Sequence, residues 1–215
     1  MKNRFDLLIF DWDGTLVNSI DWIIDCLQNS AREYNCTIPD TQAAKNVIGL
    51  STPNAVKTLF PDADQQTQSL ILSYFRKQSA SKQLSQADFF PGVYEMLLHL
   101  KETGHQLAVA TGKSRAGLQE AIEATGTEEL FCITRCSDET ASKPDPKMLH
   151  EIIQHTRIPK ERVLMIGDTE HDLQMALNTP ISSIAVTCGA QSAEILQCYK
   201  PLMCLQQPTE LLNFI

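Results

Sequence analysis

No stretch of about 18 consecutive apolar residues occurs in the 215-residue sequence, so no helical membrane span is expected. Positive charge is scarce. Eighteen Lys and Arg face 26 Asp and Glu, a formal net charge of −8, and the broad basic footprint of a nucleic-acid binder is missing. No two cysteines have the CxxC spacing, and the seven that occur are scattered and odd in number. That argues against a zinc site or a disulfide framework and fits reduced thiols in a cytoplasm. Cys132 and Cys136 could share a helix face, but without further ligands they read as packing residues. The opening Met1-Lys2-Asn3-Arg4 precedes a short apolar stretch flanked by Asp6 and Asp11, which reads as a buried strand and not as a signal peptide. Repeats and low-complexity linkers are also absent.

What remains is a chain with 43% hydrophobic residues, enough for a sizeable core. Its acidity does not exclude an anionic substrate, because a cleft needs only local positive charge or a metal. Five short apolar runs stand out, at Leu7–Phe10 and at residues 106–110, 131–134, 163–166 and 183–186. Several are continuous and not alternating, as in strands covered on both faces. Helical patterns lie between most of them: residues 93–101 stopped by Gly104, residues 114–124 opened by Ser114 and stopped near Gly126, and a helix running from an Asp145 cap with Pro146 to about His155. This alternation predicts an α/β fold with a doubly wound, parallel, Rossmann-like sheet. Residues 16–87 differ. Ile20, Ile23, Ile24 and Leu27 recur at helical spacing, further helices are expected at 43–47, 53–59 and 65–82, and no strand is evident. The expected organisation is a core of residues 1–15 and 88–215, with an all-helical insert at 16–87 hinged near Asn18-Ser19 and residues 88–92.

Four segments carry chemistry. Asp11-Trp12-Asp13-Gly14-Thr15 follows the first strand, where ligands bind in open parallel sheets. Two carboxylates one residue apart oppose each other's ionisation, and a divalent cation resolves the conflict. Thr111-Gly112-Lys113-Ser114 places a hydroxyl, a glycine and a helix start together, which makes an anion cradle. Lys143-Pro144-Asp145-Pro146 fixes a lysine between rigid residues. Gly167-Asp168-Thr169-Glu170-His171-Asp172 sets acids after another strand, with Asp168 a hard oxygen ligand and Asp172 one turn on, able to hold a lysine. All four fall at or near C-terminal strand ends, so one sheet edge would gather them.

In this order the four segments resemble the motifs of the haloacid dehalogenase superfamily of phosphatases, over nearly the whole chain. The resemblance implies that Asp11 is the nucleophile, Asp13 the general acid/base, Thr111 with Gly112 and Lys143 the phosphate-binding and catalytic groups, and Asp172 a support. It implies a Mg2+ ion held by Asp11, Asp168 and the backbone carbonyl of Asp13. It implies that the insert is a cap, with Ile48-Gly49-Leu50-Ser51 dipping into the cleft. True dehalogenases of the superfamily lack an acid at the position of Asp13, so its presence points to phosphate chemistry.

The pattern most resembles phosphoglycolate phosphatase-like members. The expected function is hydrolysis of a small phosphate ester through an aspartyl phosphate. A pyrophosphatase, a sugar-phosphate mutase, and a non-catalytic regulatory protein on the same scaffold are the alternatives. The expected state is a cytoplasmic monomer or homodimer without nucleic-acid or membrane partners. His171 reads as a surface helix residue. Arg32, Lys45 and Lys57 are candidates for the distal group of the substrate, but each reads first as a solvated helix residue.

Overall fold

The structure, a computed structural model, describes residues 4–215. Six parallel strands form one sheet: β1 (Leu7–Phe10), β2 (Gln106–Thr111), β3 (Ile133–Cys136), β4 (Val163–Gly167), β5 (Ser182–Val186) and the two-residue β6 (Cys204–Leu205). Their order is β3-β2-β1-β4-β5-β6. The chain winds outward from β1 to β3, returns, and winds the other way from β4. The strand order therefore reverses between β1 and β4, which opens a crevice at their C-terminal ends.

Side chains alternate across the sheet. Leu8 and Phe10, with Leu107, Val109, Leu164 and Ile166, face helices α5 (Val93–Glu102) and α6 (Arg115–Thr125). Leu7 and Ile9, with Ala108, Ala110, Val163 and Met165, face the helix α7 (Lys147–Thr156) and the helix α8 (Glu170–Asn178). All four residues of β1 are fully buried. Each such Leu or Ile contributes roughly 1.5–3 kcal/mol of burial, and β4 beside it is buried just as completely. A short helix α9 (Ala193–Gln197) covers β5 and β6.

Between β1 and α5 lie α1 (Ile20–Glu33), α2 (Thr41–Asn46), α3 (Thr52–Leu59) and α4 (Gln65–Ala80). Asp40, Ser51 and Asp64 cap the last three, each accepting a backbone N–H from the first turn. These helices bury their own apolar faces together, with Ile20, Ile24 and Leu27 of α1 against Val47, Ile48 and Ala55. The entering and leaving chains run side by side. Val17 bridges antiparallel to Phe89, Asn18 N–H donates to the Asp88 carbonyl at 2.8 Å, and Phe90 N–H donates to the Leu16 carbonyl at 3.0 Å.

Several expectations shift, and α2 opens at Thr41, two residues before the expected 43. β3 begins two residues late: Ile133 pairs with Ala108, while Phe131 turns its ring onto Trp12. Cys132 and Cys136 therefore lie before and at the end of a strand, not on a helix. At α7 the N-cap is Pro146, and Asp145 accepts the Lys147 N–H at 2.9 Å from one residue earlier than expected. α4 ends at Ala80 instead of residue 82. Among the described residues no helix is long and apolar enough to cross a membrane.

Candidate active site

The chain turns immediately after β1. Asp11 N–H donates to the Ile166 carbonyl at 2.9 Å and keeps the turn tied to β4. Trp12 is fully buried, with ring centroids 6.0 Å from Phe89 and 6.2 Å from Phe131, so it anchors the loop from behind. Gly14 has a φ of +79°, and a Cβ there would overlap the Asp168 carboxylate. Both the backbone and the space demand glycine. Gly14→Ala is expected to cost about 1–3 kcal/mol in urea unfolding, and an unchanged midpoint would mean that the loop relaxes freely.

Lys143 enters from the loop before α7, beside a cis Lys143–Pro144 bond. Its ammonium lies 2.6 Å from Asp172 Oδ1 and 2.7 Å from Asp11 Oδ1, and all three side chains are shut off from solvent. It donates a well-directed hydrogen bond to Asp172. The Asp11 contact is ionic and poorly aligned, leaving Asp11 Oδ1 buried without a well-formed hydrogen bond. Asp172 Oδ2 accepts from the Thr169 hydroxyl at 2.7 Å and the Thr169 N–H at 3.1 Å. Asp168 Oδ1 accepts from the Thr15 hydroxyl at 2.9 Å, and its Oδ2 accepts from the Ala190 N–H at 2.8 Å. Cys188 borders the same turn, with Sγ 3.7 Å from the Gly14 carbonyl.

Oxygens of Asp11, Asp168 and Asp172 lie within 4.8 Å of one another. Three buried carboxylates around one ammonium leave a surplus of negative charge. Burial pushes Asp11 up to about 7, with the Lys143 charge opposing and the Asp172 charge adding to the rise. Burial also holds Asp168 well above the ordinary carboxylate range, reinforced by Asp11 and Asp172 and opposed by the Ala190 N–H and the Thr15 hydroxyl. For Lys143, burial acts downward, but the charges of Asp11 and Asp172 outweigh it and raise the ammonium above its usual value. A divalent cation fits this arrangement: the donors are hard oxygens, and three buried carboxylates face a single ammonium. Both oxygens of Asp172 are committed to Lys143 and Thr169, so Asp172 serves as the holder of the lysine.

On the other side of Asp11, β2 ends at Thr111, whose hydroxyl accepts the Lys113 N–H at 3.2 Å. Ser114 caps α6 through the Gly117 N–H. The Lys113 ammonium lies 2.9 and 3.1 Å from the two oxygens of Asp13, and the Ser19 hydroxyl donates to Asp13 Oδ1 at 2.7 Å. The helical insert presses down here. A Cβ on Gly112 would fall 2.6 Å from the Gly49 carbonyl oxygen, Ser51 N–H donates to Ser142 Oγ at 2.8 Å, and His171 Nε2 lies 3.0 Å from the Asn46 carbonyl. Between insert and core lies a cavity of about 680 Å³ that reaches Asp11, Asp13 and Thr111 at one end and Phe75 and Arg76 of α4 at the other.

Every core residue singled out from the sequence lies at this one edge: Asp11, Asp13, Thr111, Gly112, Lys143, Asp168 and Asp172. The insert cations do not. Arg32, Lys45 and Lys57 stay off the cavity wall, and Arg32 bonds Asn29 at 2.7 Å on the surface of α1. Phe75 and Arg76 of α4 line the cavity instead. Lys113 was visible in the Thr-Gly-Lys-Ser run but had no assigned role. Thr15, within the first motif, also passed unremarked.

The chain matches the model of the haloacid dehalogenase-like hydrolases over residues 8–186. It is 33% identical over 203 residues to a protein named probable phosphatase IndB from Dickeya dadantii, covering 91% of this chain and 86% of that one. It is 26% identical over 213 residues to pyrophosphatase PpaX from Bacillus cereus, covering 99% and 97% of the two chains. Among solved structures, a predicted phosphoglycolate phosphatase from Haemophilus somnus superposes with a TM-score of 0.85 at 21% identity, over 99% of both chains. The sheet order, the acids at its edge and the match over most of the sequence agree, and this chain belongs to the haloacid dehalogenase-like hydrolase family.

Proposed function

We propose that the protein is a magnesium-dependent phosphatase that hydrolyses a phosphorylated metabolite through an aspartyl phosphate on Asp11. The observation that carries this reading is the Lys143 ammonium seated between Asp11 and Asp172, with Asp168 beside them, at the end of β1. Asp11 lines the cavity and attacks phosphorus in line. Lys143 orients Asp11 and neutralises charge, while the Thr111 hydroxyl and the backbone at Gly112 receive equatorial oxygens. When bound, Mg2+, held by Asp11, Asp168 and the Asp13 carbonyl, supplies further neutralisation of phosphoryl charge. Asp13 protonates the leaving alkoxide and later takes the proton of the hydrolytic water. The Lys113 ammonium must leave Asp13 for this, and an arriving phosphoryl anion offers it another partner.

The insert at 16–87 acts as a cap on the core of 1–15 and 88–215. The contacts of Asn46, Gly49 and Ser51 with the core loops support this reading. The name borne by the Bacillus relatives supports a second reading, cleavage of pyrophosphate at the same site.

Metal removal tests the proposal. Chelation should stop phosphate release, and Mg2+ should restore it. Mg2+ should also raise the thermal midpoint, and the rise should depend on pH. An unfolded Asp loses its proton near 3.8, whereas folded Asp11 keeps its proton to about 7. Between those values the metal-free folded state binds the extra proton, so its stability falls as pH rises. The cation displaces that proton. At one fixed Mg2+ concentration the rise should therefore be larger at pH 7.5 than at pH 5.5, on the order of 5–10 °C at pH 7.5 when that concentration is about a hundredfold above the Kd there. No rise, or an equal rise at both pH values, would remove the cation from this site.

A further inference from the structure

The cavity is large for a two-carbon phosphate ester or for pyrophosphate. Its volume of about 680 Å³ falls within the roughly 300–1,000 Å³ of sites that enclose drug-sized ligands. A small dianion would occupy only the end at Asp11 and Thr111.

Beyond that end the walls are mostly apolar. Ile23 and Leu27 of α1, Phe75 of α4 and Leu84 line them, and Ala116 and Gly117 of α6 take up little room opposite. A second acidic group on the substrate would need a cation. Lys113 is paired with Asp13 at 2.9 Å and Lys82 with Asp88 at 2.8 Å. Arg76 is the one lining cation without a partner among the described residues, and it is exposed. Gln83 and Glu120 are exposed lining residues as well.

We propose that the substrate is a phosphate monoester of a nucleoside-sized, ring-bearing alcohol. Its apolar ring faces pack against Phe75 and Leu27, and its polar ring edge meets Arg76 and Gln83. An alkyl chain would satisfy the apolar walls but leave those polar groups unused. The inference rests on the phosphatase reading and narrows it, away from phosphoglycolate and pyrophosphate.

The test is steady-state kinetics with uridine and inosine 5′-monophosphates beside 2-phosphoglycolate and pyrophosphate. The nucleoside monophosphates should exceed both small substrates by about tenfold or more in kcat/KM. Phe75→Ala should lower kcat/KM for the nucleoside monophosphates about tenfold, mainly through KM, because it removes ring packing. It should leave the slower small substrates within about twofold. Phe75→Leu, which keeps the apolar bulk, should fold like the parent and lose less. Preference for the small substrates, or an equal loss on all four, would overturn this inference alone. Absence of phosphate release from every substrate would overturn the phosphatase reading and this inference with it.

Discussion

Asp11→Asn should reduce turnover by about 10⁴-fold or more while the protein stays folded. An amide has the shape of the carboxylate but cannot attack phosphorus, and a loss of that size is about 5.5 kcal/mol of transition-state stabilisation. The fold should tolerate the change because Asp11 is strained as an anion. Burial already pushes it up to about 7. The amide removes one of three crowded charges and leaves Lys143 bonded to Asp172 at 2.6 Å. The thermal midpoint of the metal-free variant near pH 8 should therefore equal or exceed that of the parent. Turnover above about 1% of the parent in a folded variant would mean that another group is the nucleophile.

Lys143→Met should act on stability first. The side chain is fully buried, and its ammonium is the counter-charge for both Asp11 and Asp172. Removing one partner of a buried ion pair leaves an uncompensated charge and costs about 3–5 kcal/mol. In a domain of this size that lowers the melting temperature by on the order of 10 °C. The loss should depend on pH in a definite direction. Without the ammonium, the opposing influence on Asp11 disappears and its folded proton affinity rises further, while the unfolded carboxylate keeps its ordinary affinity. The folded variant then binds more protons than the unfolded chain, so stability falls as pH rises. Denaturant titrations at pH 5 and 7.5 should show the larger deficit at pH 7.5. Equal deficits would indicate lost packing in place of lost charge compensation.

The parts of this site readable in advance share a physical basis. Leu7–Phe10 is a continuous apolar run, and such a run followed at once by Asp-x-Asp has few readings beyond a central strand ending in a ligand loop. Thr111, Lys143 and Asp168 were legible for the same reason, each standing at or near a strand end or a helix entrance marked by glycine or proline. The insert helices were legible from the spacing of Ile20, Ile24 and Leu27, which do bury together.

What stayed open or shifted depended on tertiary docking. Period and spacing place Arg32, Lys45 and Lys57 on helix surfaces, but not on the face that meets the core. That face is set by how α1 and α4 pack. Phe75 and Arg76 gave no sign because an aromatic followed by a cation on a helix is ordinary. β3 slipped by two residues because Phe131 is as apolar as a strand residue, and only the presence of Trp12 explains why its ring is used elsewhere. Lys113 was overlooked because its partner, Asp13, is a hundred residues away and had already been given a role.

The pairing of Val17 with Phe89 has a consequence for how such a molecule can be rebuilt. Adjacent strands stand only about 4.8 Å apart, so the two cut ends left by excising the helices between them could be rejoined by a tight turn. The junction lies outside the six strands of the sheet. The catalytic edge can thus keep its geometry while the intervening module is exchanged for one of another size, and substrate range can diverge without any redesign of the chemistry beneath it.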